Sequence, residues 1–254
     1  MDLTIKKRPF GSGVANIVRF NWPFYFFACA AIAVLSVVFS LTTESWFLLL
    51  AILVSLPVAC SLIAALWIYD CSTLYQLPFI EFQPNSSGKT VISVTAGLDE
   101  VSSTLRERFP GAQLRLLDFY DDQKHGEPSI RRARCCYSLP PETEIIDTNK
   151  ALPVACSSVS LIIGFLSLHE IRDENERVAF LQELAAALAP EGRLIVVEHV
   201  RDLPNALAFT LGVFHFHLRR SWLENFDSAG LTLTGETKIT PLIRIFTLQK
   251  SCRP

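Results

Sequence analysis

The chain has 254 residues, half of them hydrophobic, and 23 Lys plus Arg nearly balance 25 Asp plus Glu for a formal charge of −2. This length suits one catalytic domain with an appendage, and the high apolar content points to a membrane segment. The near-neutral balance, with no basic stripe carrying interleaved aromatics, argues against a nucleic-acid partner. Seven cysteines, odd in number and without CxxC spacing, make neither a disulfide framework nor a zinc site, so a reducing compartment is expected and no metal ligands are.

Residues 1–22 are basic, with Lys6, Lys7, Arg8 and Arg19 against Asp2. No charge occurs from Phe20 to Thr43, nor again from Ser45 to Tyr69. Each run is long enough to cross the roughly 30 Å hydrocarbon core as a helix. Only Thr42 to Ser45 separates them, so residues 23–69 read as a transmembrane hairpin. Trp22, Tyr25, Trp67 and Tyr69 are expected at one interface and Trp46 at the other. The basic residues place both termini in the cytoplasm, at the inner membrane of a bacterium. Two other readings are a cleaved signal sequence and a pair of core helices. The first lacks a small-x-small cleavage site and is followed at once by a second apolar run; the second has nothing to bury helices apolar on every face.

Residues 70–89 read as a connector, polar from Gln83 to Lys89. A domain is expected over 90–254. Val91–Thr95 reads as a strand, followed by Ala96-Gly97-Leu98-Asp99-Glu100 and a helix to about Arg108. Gln113–Asp118 is a second strand ending in an acid. That acid lies about 20 residues past Gly97, the spacing at which a carboxylate accepts from two ribose hydroxyls. Tyr120 and Lys124 match the Tyr-x-x-x-Lys of short-chain dehydrogenases, but on a polar loop after the second strand, which is the wrong place. Ile130–Tyr137 reads as a short helix whose Arg131, Arg132 and Arg134 face solvent or headgroups, and Glu142–Asp147 as a third strand. Val159–Phe165 and Leu194–Val197 are too continuously apolar for a half-exposed sheet and read as buried parallel neighbours. Between them lies a helix capped by Asp173 with Glu176, with core face Val178, Leu181, Leu184 and Leu188 and a stop at Pro190 and Gly192. Ligands of such sheets sit beyond the carboxyl ends of the strands, where this chain carries His169-Glu170 and Glu198-His199. An apolar segment with His215 and His217 follows, then a helix opened by Ser221 and Glu224 and closed by Gly230. Leu231–Thr237 and Leu242–Leu248 are the closing strands.

The pattern D-x-x-x-x-LP from Asp147, then SLHEI, then F-x-x-E-L-x-x-x-L-x-P-x-G-R-L-I-V-V-E-H to His199, resembles the second half of class I S-adenosylmethionine-dependent methyltransferases. The likeness is nearest to the small-molecule group that includes the quinone-ring enzymes. It covers roughly Thr90 to Lys250 and is most specific from Leu152 to His199. It implies an α/β fold, a seven-stranded Rossmann-like sheet with helices on both faces, and S-adenosylmethionine as cofactor. It also implies cofactor contacts at Ala96 and Gly97, where only one glycine of the family's turn remains. Further contacts are implied at Asp99 or Glu100 for the amino group, Asp118 for the ribose, Asp147 and Thr148 for the adenine, and Gly164. The 206–220 segment resembles the family's lid over the acceptor.

Methyl transfer needs chiefly alignment, and a hydroxyl acceptor also needs a base, for which His169, His199 and His215 are the candidates, with His217 behind them. The expected function is therefore methyl transfer to a small lipophilic acceptor at a bilayer, with no protein partner named. The alternative is a non-catalytic scaffold of the same fold, motivated by the missing glycines; a nicotinamide dehydrogenase ranks third.

Overall fold

In the computed structural model, which describes residues 9–81 and 86–251, the apolar runs become the centre of a seven-stranded sheet. Lys6, Lys7, Arg8 and the Gln83–Asn85 part of the connector lie outside the described residues. The strands are β1 (Thr90–Thr95), β2 (Gln113–Asp118), β3 (Glu144–Ile145), β4 (Val159–Phe165), β5 (Leu188–Glu198), β6 (Leu231–Thr240) and β7 (Ile243–Lys250), in the order β3-β2-β1-β4-β5-β7-β6. β1 to β5 are parallel, and β7 runs antiparallel between β5 and β6. Register sets Thr95 beside Asp118, Val94 beside Gly164 and Phe165 beside Val197. The central strands thus end on one line. Strand order reverses between β1 and β4, which opens a crevice at their carboxyl ends.

The helices are α1 (Ser12–Phe20), α2 (Trp22–Thr42), α3 (Ser45–Ala65), α4 (Ser102–Arg108), α5 (Pro128–Cys136), α6 (Glu174–Ala187), α7 (Leu203–Phe209) and α8 (Arg219–Ser228). α6 and α8 cover one face of the sheet through Phe180, Leu181, Leu184, Trp222 and Phe226. The other face receives Leu105 of α4 together with Ile68, Leu74 and Leu77, so the first part of the connector packs into the core. Asp173 caps α6 by accepting the Glu176 N–H at 2.8 Å. Several boundaries differ from the sequence reading. Pro190 and Gly192 do not end the helix but lie in β5, beside a register shift against Val159 and Leu161. α8 starts at Arg219 without a side-chain cap, and Glu224 pairs with Arg220. β3 is two residues long, so Asp147 lies past its end on a loop.

α2 and α3 form the expected hairpin, turned by Thr43 at φ 59° and Glu44. α2 and the helical run from Ser45 to Gln76 are long and apolar enough to cross a membrane. Most of their side chains are exposed, unlike those of core helices. Trp22, Trp46 and Trp67 face outward as an aromatic belt requires. Tyr25 and Tyr69 leave that belt and turn inward, Tyr25 pairing with Ser61 at 3.1 Å and Tyr69 with His199 at 2.9 Å. α1 was not legible in the basic N-terminal stretch. The Asp70 carboxylate accepts the N–H groups of Gly13 and Val14, each at 2.9 Å, and so pins the start of α1 to the end of the hairpin. The approach is close enough to demand glycine: a Cβ on Gly13 would stand 2.4 Å from Tyr69 Cβ.

Candidate active site

A cavity of about 470 Å³ lies beyond the carboxyl ends of β4 and β5. His169, Glu170 and His199 form its inner wall, and Ile17, Phe24 and Tyr25 of α1 and α2 roof it. The remaining side is closed by the segment after β5, where α7 runs into a 3-10 turn at Thr210–His215; Phe209, His215 and Phe216 face inward. The segment expected to act as a lid, residues 206–220, thus lines one side of this cavity. Its outer surface exposes Leu203, Leu207, Leu211 and Phe214, an apolar ridge next to the hairpin.

Three of the four candidate histidines meet at this wall. His169 sits in the 3-10 turn Leu168–Glu170 that follows β4. Its Nδ1 lies 2.6 Å from Glu198 Oε2, and its backbone N–H donates to Glu198 Oε1 at 3.2 Å. Its Nε2 is 3.2 Å from Glu170 Oε1. Burial opposes a charge on this ring, but Glu198 and Glu170 outweigh it and raise the pKa to about 10, so His169 is an imidazolium at neutral pH. Burial likewise opposes ionisation of Glu170, yet hydrogen bonds from His169 and His215 hold its pKa below the usual carboxylate range. His215 reaches across from the lid, Nδ1 3.0 Å from Glu127 Oε1 and Nε2 3.2 Å from Glu170 Oε1.

His199 is the opposite case. Burial drives its pKa down to about 4, against hydrogen bonds at Nδ1 from the Asn205 and Leu242 side. The ring is therefore neutral, stacked on Phe216 at 4.6 Å, with Nδ1–H donating to the Leu242 carbonyl and Nε2 accepting the Tyr69 hydroxyl. His217 does not line the cavity. It lies behind it against Arg177, and burial with that cation lowers its pKa to about 3. Sequence reasoning missed Tyr75 and Glu127, read Tyr69 as a belt residue, and considered Glu100 only for the cofactor's amino group. Tyr75 donates to Glu100 Oε1 at 2.8 Å, and both line the cavity.

The residues assigned to the cofactor divide. Gly97 and Asp118 come together: Asp118 is fully buried and its Oδ1 accepts the N–H of Gly97 at 2.9 Å and of Tyr120 at 2.8 Å. Its pKa is raised by burial, with those two N–H groups and Arg134 pulling the other way. Arg134, read from the sequence as solvent-facing, instead donates to Asp118 Oδ2 at 3.3 Å and lies 4.3 Å over the Tyr120 ring. It also covers Gly97, where a Cβ would meet Arg134 Cδ at 2.9 Å and where φ is +89°. Ala96 is buried beneath this turn. Asp99 caps α4 through the Ser102 N–H at 3.1 Å. Asp147 is exposed and pairs with Lys150 at 3.3 Å and Lys124 at 3.9 Å. Thr148 is buried and donates to Glu176. The face of Gly164 is filled by Leu168, whose Cδ1 would lie 2.8 Å from an added Cβ. Asp147 and Thr148 follow Ile146, whose N–H donates to the Asp118 carbonyl at 2.9 Å, but their side chains pair with Lys150, Lys124 and Glu176, and none of the seven lines this cavity.

The donor set at the β2 end nonetheless fits a nucleoside: a buried acid for two hydroxyls beside a glycine that lets a ligand approach the backbone. The obstacle is the far end of one flexible side chain, about a third exposed, which rotates at little cost.

No protein-family model matches the chain, and no curated protein matches it. Among solved structures it is similar to the mitomycin 7-O-methyltransferase MmcR, with a TM-score of 0.56 at 18% identity over 96% of this chain and 74% of that one. It is also similar to the pyocyanin biosynthetic protein PhzM, with a TM-score of 0.52 at 15% identity over 75% of this chain and 57% of that one. The fold is a methyltransferase fold. In this methyltransferase fold the cavity occupies the carboxyl edge of the sheet, and the hairpin and α1 are set over that edge.

Proposed function

We propose that the chain is an S-adenosylmethionine-dependent methyltransferase, held in a bilayer by α2 and α3, that modifies a small lipophilic acceptor. One observation carries this reading. The cavity at the carboxyl edge of the sheet is walled on one side by the histidine cluster and on the other by hairpin residues Phe24, Tyr25, Pro57 and Ser61. An acceptor dissolved in lipid would reach it without crossing water. The exposed apolar side chains Leu203, Leu207, Leu211 and Phe214 would rest on the same bilayer surface. The basic N-terminal stretch puts the domain on the cytoplasmic side of an inner bacterial membrane.

The bound cofactor supplies an electrophilic methyl group. Asp118 and the Gly97 backbone hold its nucleoside once Arg134 turns outward. Glu198 and Glu170 hold the two nitrogens of the His169 ring, which fixes this wall of the cavity and positions the acceptor against it. The Tyr69–His199 pair is the proton relay on this wall: His199 Nε2 accepts the Tyr69 hydroxyl, and with its pKa lowered to about 4 the ring is a weak base that holds the acceptor's proton only in passing. The lid and α1 exclude water and set the acceptor in line.

A second reading, a membrane-tethered binding subunit without catalysis, is favoured by one feature: Arg134 occupies the space over Gly97 and Asp118. Calorimetry with S-adenosylhomocysteine on the detergent-solubilised chain separates the two. Saturable binding that Asp118→Ala abolishes supports the enzyme; no binding, with wild type and variant alike, supports the scaffold. Retention in the membrane pellet after carbonate washing tests the anchor. Lipid extracts from cells with and without the protein, compared for species differing by one methylene, identify the acceptor.

A further inference from the structure

His169, Glu170 and His215 each bring one ligand atom into a cluster whose members all lie within 4.8 Å of one another. Both histidine Nε2 atoms are 3.2 Å from Glu170 Oε1. We propose that this triad binds a first-row divalent transition-metal ion in the wall of the acceptor cavity.

The geometry suits an ion. Metal–ligand bonds near 2.1 Å place neighbouring ligand atoms about 3 to 3.5 Å apart, and both measured separations fall there. Each imidazole also has a carboxylate on its far nitrogen: Glu198 Oε2 lies 2.6 Å from His169 Nδ1, and Glu127 Oε1 lies 3.0 Å from His215 Nδ1. That arrangement holds the Nδ1 proton of His169 and aims both Nε2 atoms at Glu170, as in metal-ligating histidines, and an incoming ion would displace the Nε2 protons that hydrogen-bond Glu170 in the metal-free protein. Protons bridge these atoms in the metal-free protein, and the same two nitrogens and carboxylate oxygen converge closely enough to hold one ion in their place.

A second, independent observation points the same way. Glu170 is 2% exposed, and its Oε2 is buried with no hydrogen-bond partner among the described residues. A buried carboxylate oxygen left unsatisfied is costly, and a chelated ion removes that cost. Charge agrees as well. Glu127, Glu170 and Glu198 bring three negative charges to the cluster, and Arg172, 3.2 Å from Glu127 and 3.1 Å from His215 Nε2, returns one. With neutral imidazoles the remainder is matched by a divalent cation. Two imidazoles and one carboxylate favour Zn²⁺, Fe²⁺ or Co²⁺ over the all-oxygen preference of Mg²⁺ and Ca²⁺.

The three ligands line the acceptor cavity, so an acceptor hydroxyl lying against this wall would meet the ion. That last step rests on the methyltransferase reading; metal binding itself does not.

The test uses full-length protein in detergent, stripped by a chelator, desalted and titrated with Co²⁺ alone and then with Zn²⁺. The expected result is saturation at one Co²⁺ per chain with a visible d–d band, displacement by Zn²⁺, and a rise in melting temperature. His215→Gln and Glu170→Gln should each weaken binding by about tenfold or more, while Cys135→Ser with Cys136→Ser leaves it intact. Absence of saturable binding, binding that survives both ligand variants, or binding lost in the cysteine variant would overturn the proposal. If Glu170→Gln does not fold, His215→Gln, on the half-buried lid, decides alone. Because no cofactor or turnover enters the readout, failure here leaves the methyltransferase reading to be judged separately by S-adenosylhomocysteine calorimetry.

Discussion

Arg134 Nη1 lies 3.3 Å from Asp118 Oδ2, and the same side chain crosses the face of Gly97. The guanidinium thus engages the carboxylate oxygen that a nucleoside would need, while Oδ1 is held by two backbone N–H groups. A ligand entering here must move the partly exposed guanidinium off a fully buried carboxylate, and its own hydroxyls must replace that donor. Arg134→Ala is therefore expected to tighten S-adenosylhomocysteine binding severalfold, approaching tenfold if about 1.4 kcal/mol is recovered. Asp118→Ala should abolish it. Calorimetry on the three proteins reads this directly, and an Arg134→Ala variant that binds no better than wild type would remove the gate from the account.

Asp70 joins the hairpin to α1 by accepting two orphan N–H groups at once. α1 in turn contributes Gly13, Asn16, Ile17 and Phe20 to the cavity. Asp70→Ala leaves both donors unpaired at a cost of about 1 kcal/mol and should loosen the roof without unfolding the sheet. Hydrogen exchange measured by mass spectrometry is expected to quicken in the peptide covering residues 12–20 and to stay unchanged in β4 and β5. Equal protection of α1 in wild type and variant would show that packing alone holds it.

The parts of this molecule that were legible in its sequence are those written in local pattern. β4 and the second half of β5 carry apolar runs, Leu161–Ile163 and Leu194–Val197, because both of their faces are buried there. The Asp173 cap announced α6, and the acid ending β2 announced Asp118. What stayed hidden depends on distant partners. Nothing near Arg134 distinguishes a guanidinium aimed at Asp118 from one in solvent, because its direction follows from how α5 packs on α1 and the sheet edge. Tyr25 and Tyr69 satisfy the composition of an aromatic belt, yet their hydroxyls are bound by Ser61 and His199, which are far away in sequence. Asp70 gave no hint of α1, since the contact spans 57 residues. Among the histidines, position near a strand end was informative for His169 and His199; neighbouring lid positions separated His215, in the cavity, from His217, behind it.

Arg177 lies within α6, on the face turned to the core, and is 2% exposed. Its Nε donates to Asn225 Oδ1 at 2.6 Å and its Nη1 to the Ile171 carbonyl at 2.7 Å, with the guanidinium 5.7 Å from the Trp222 ring. It ties the turn after β4 to α8. Arg177→Ala opens a cavity and strands a buried acceptor, and losses of this kind run to about 3 kcal/mol or more. Arg177→Lys cannot reach both acceptors with one ammonium and should recover only part of this. Thermal melts in detergent are expected to rank wild type above Lys above Ala. If the lysine variant melted with wild type, the fork geometry would be irrelevant.

His199 makes stability depend on acid in a defined window. Burial lowers its folded pKa to about 4, whereas in the unfolded chain it titrates near the ordinary histidine value of 6.5. Above about pH 6.5 the ring is neutral in both states and its contribution to stability is complete. Between 6.5 and 4 only the unfolded state takes up the proton, so stability falls as pH falls, at a rate approaching about 1.4 kcal/mol per pH unit for one proton. His217, with a folded pKa of about 3, acts in the same direction. His169 does not enter this window: its pKa is raised to about 10, so its contribution is full below 6.5 and is lost only as pH rises toward 10. The melting temperature of the chelator-treated protein should drop between pH 7 and pH 5. His199→Gln, which never titrates, should show a shallower drop than wild type over the same range, because the groups common to both cancel in the comparison. Parallel curves for the two proteins would mean that His199 is already charged, or already exposed, at neutral pH.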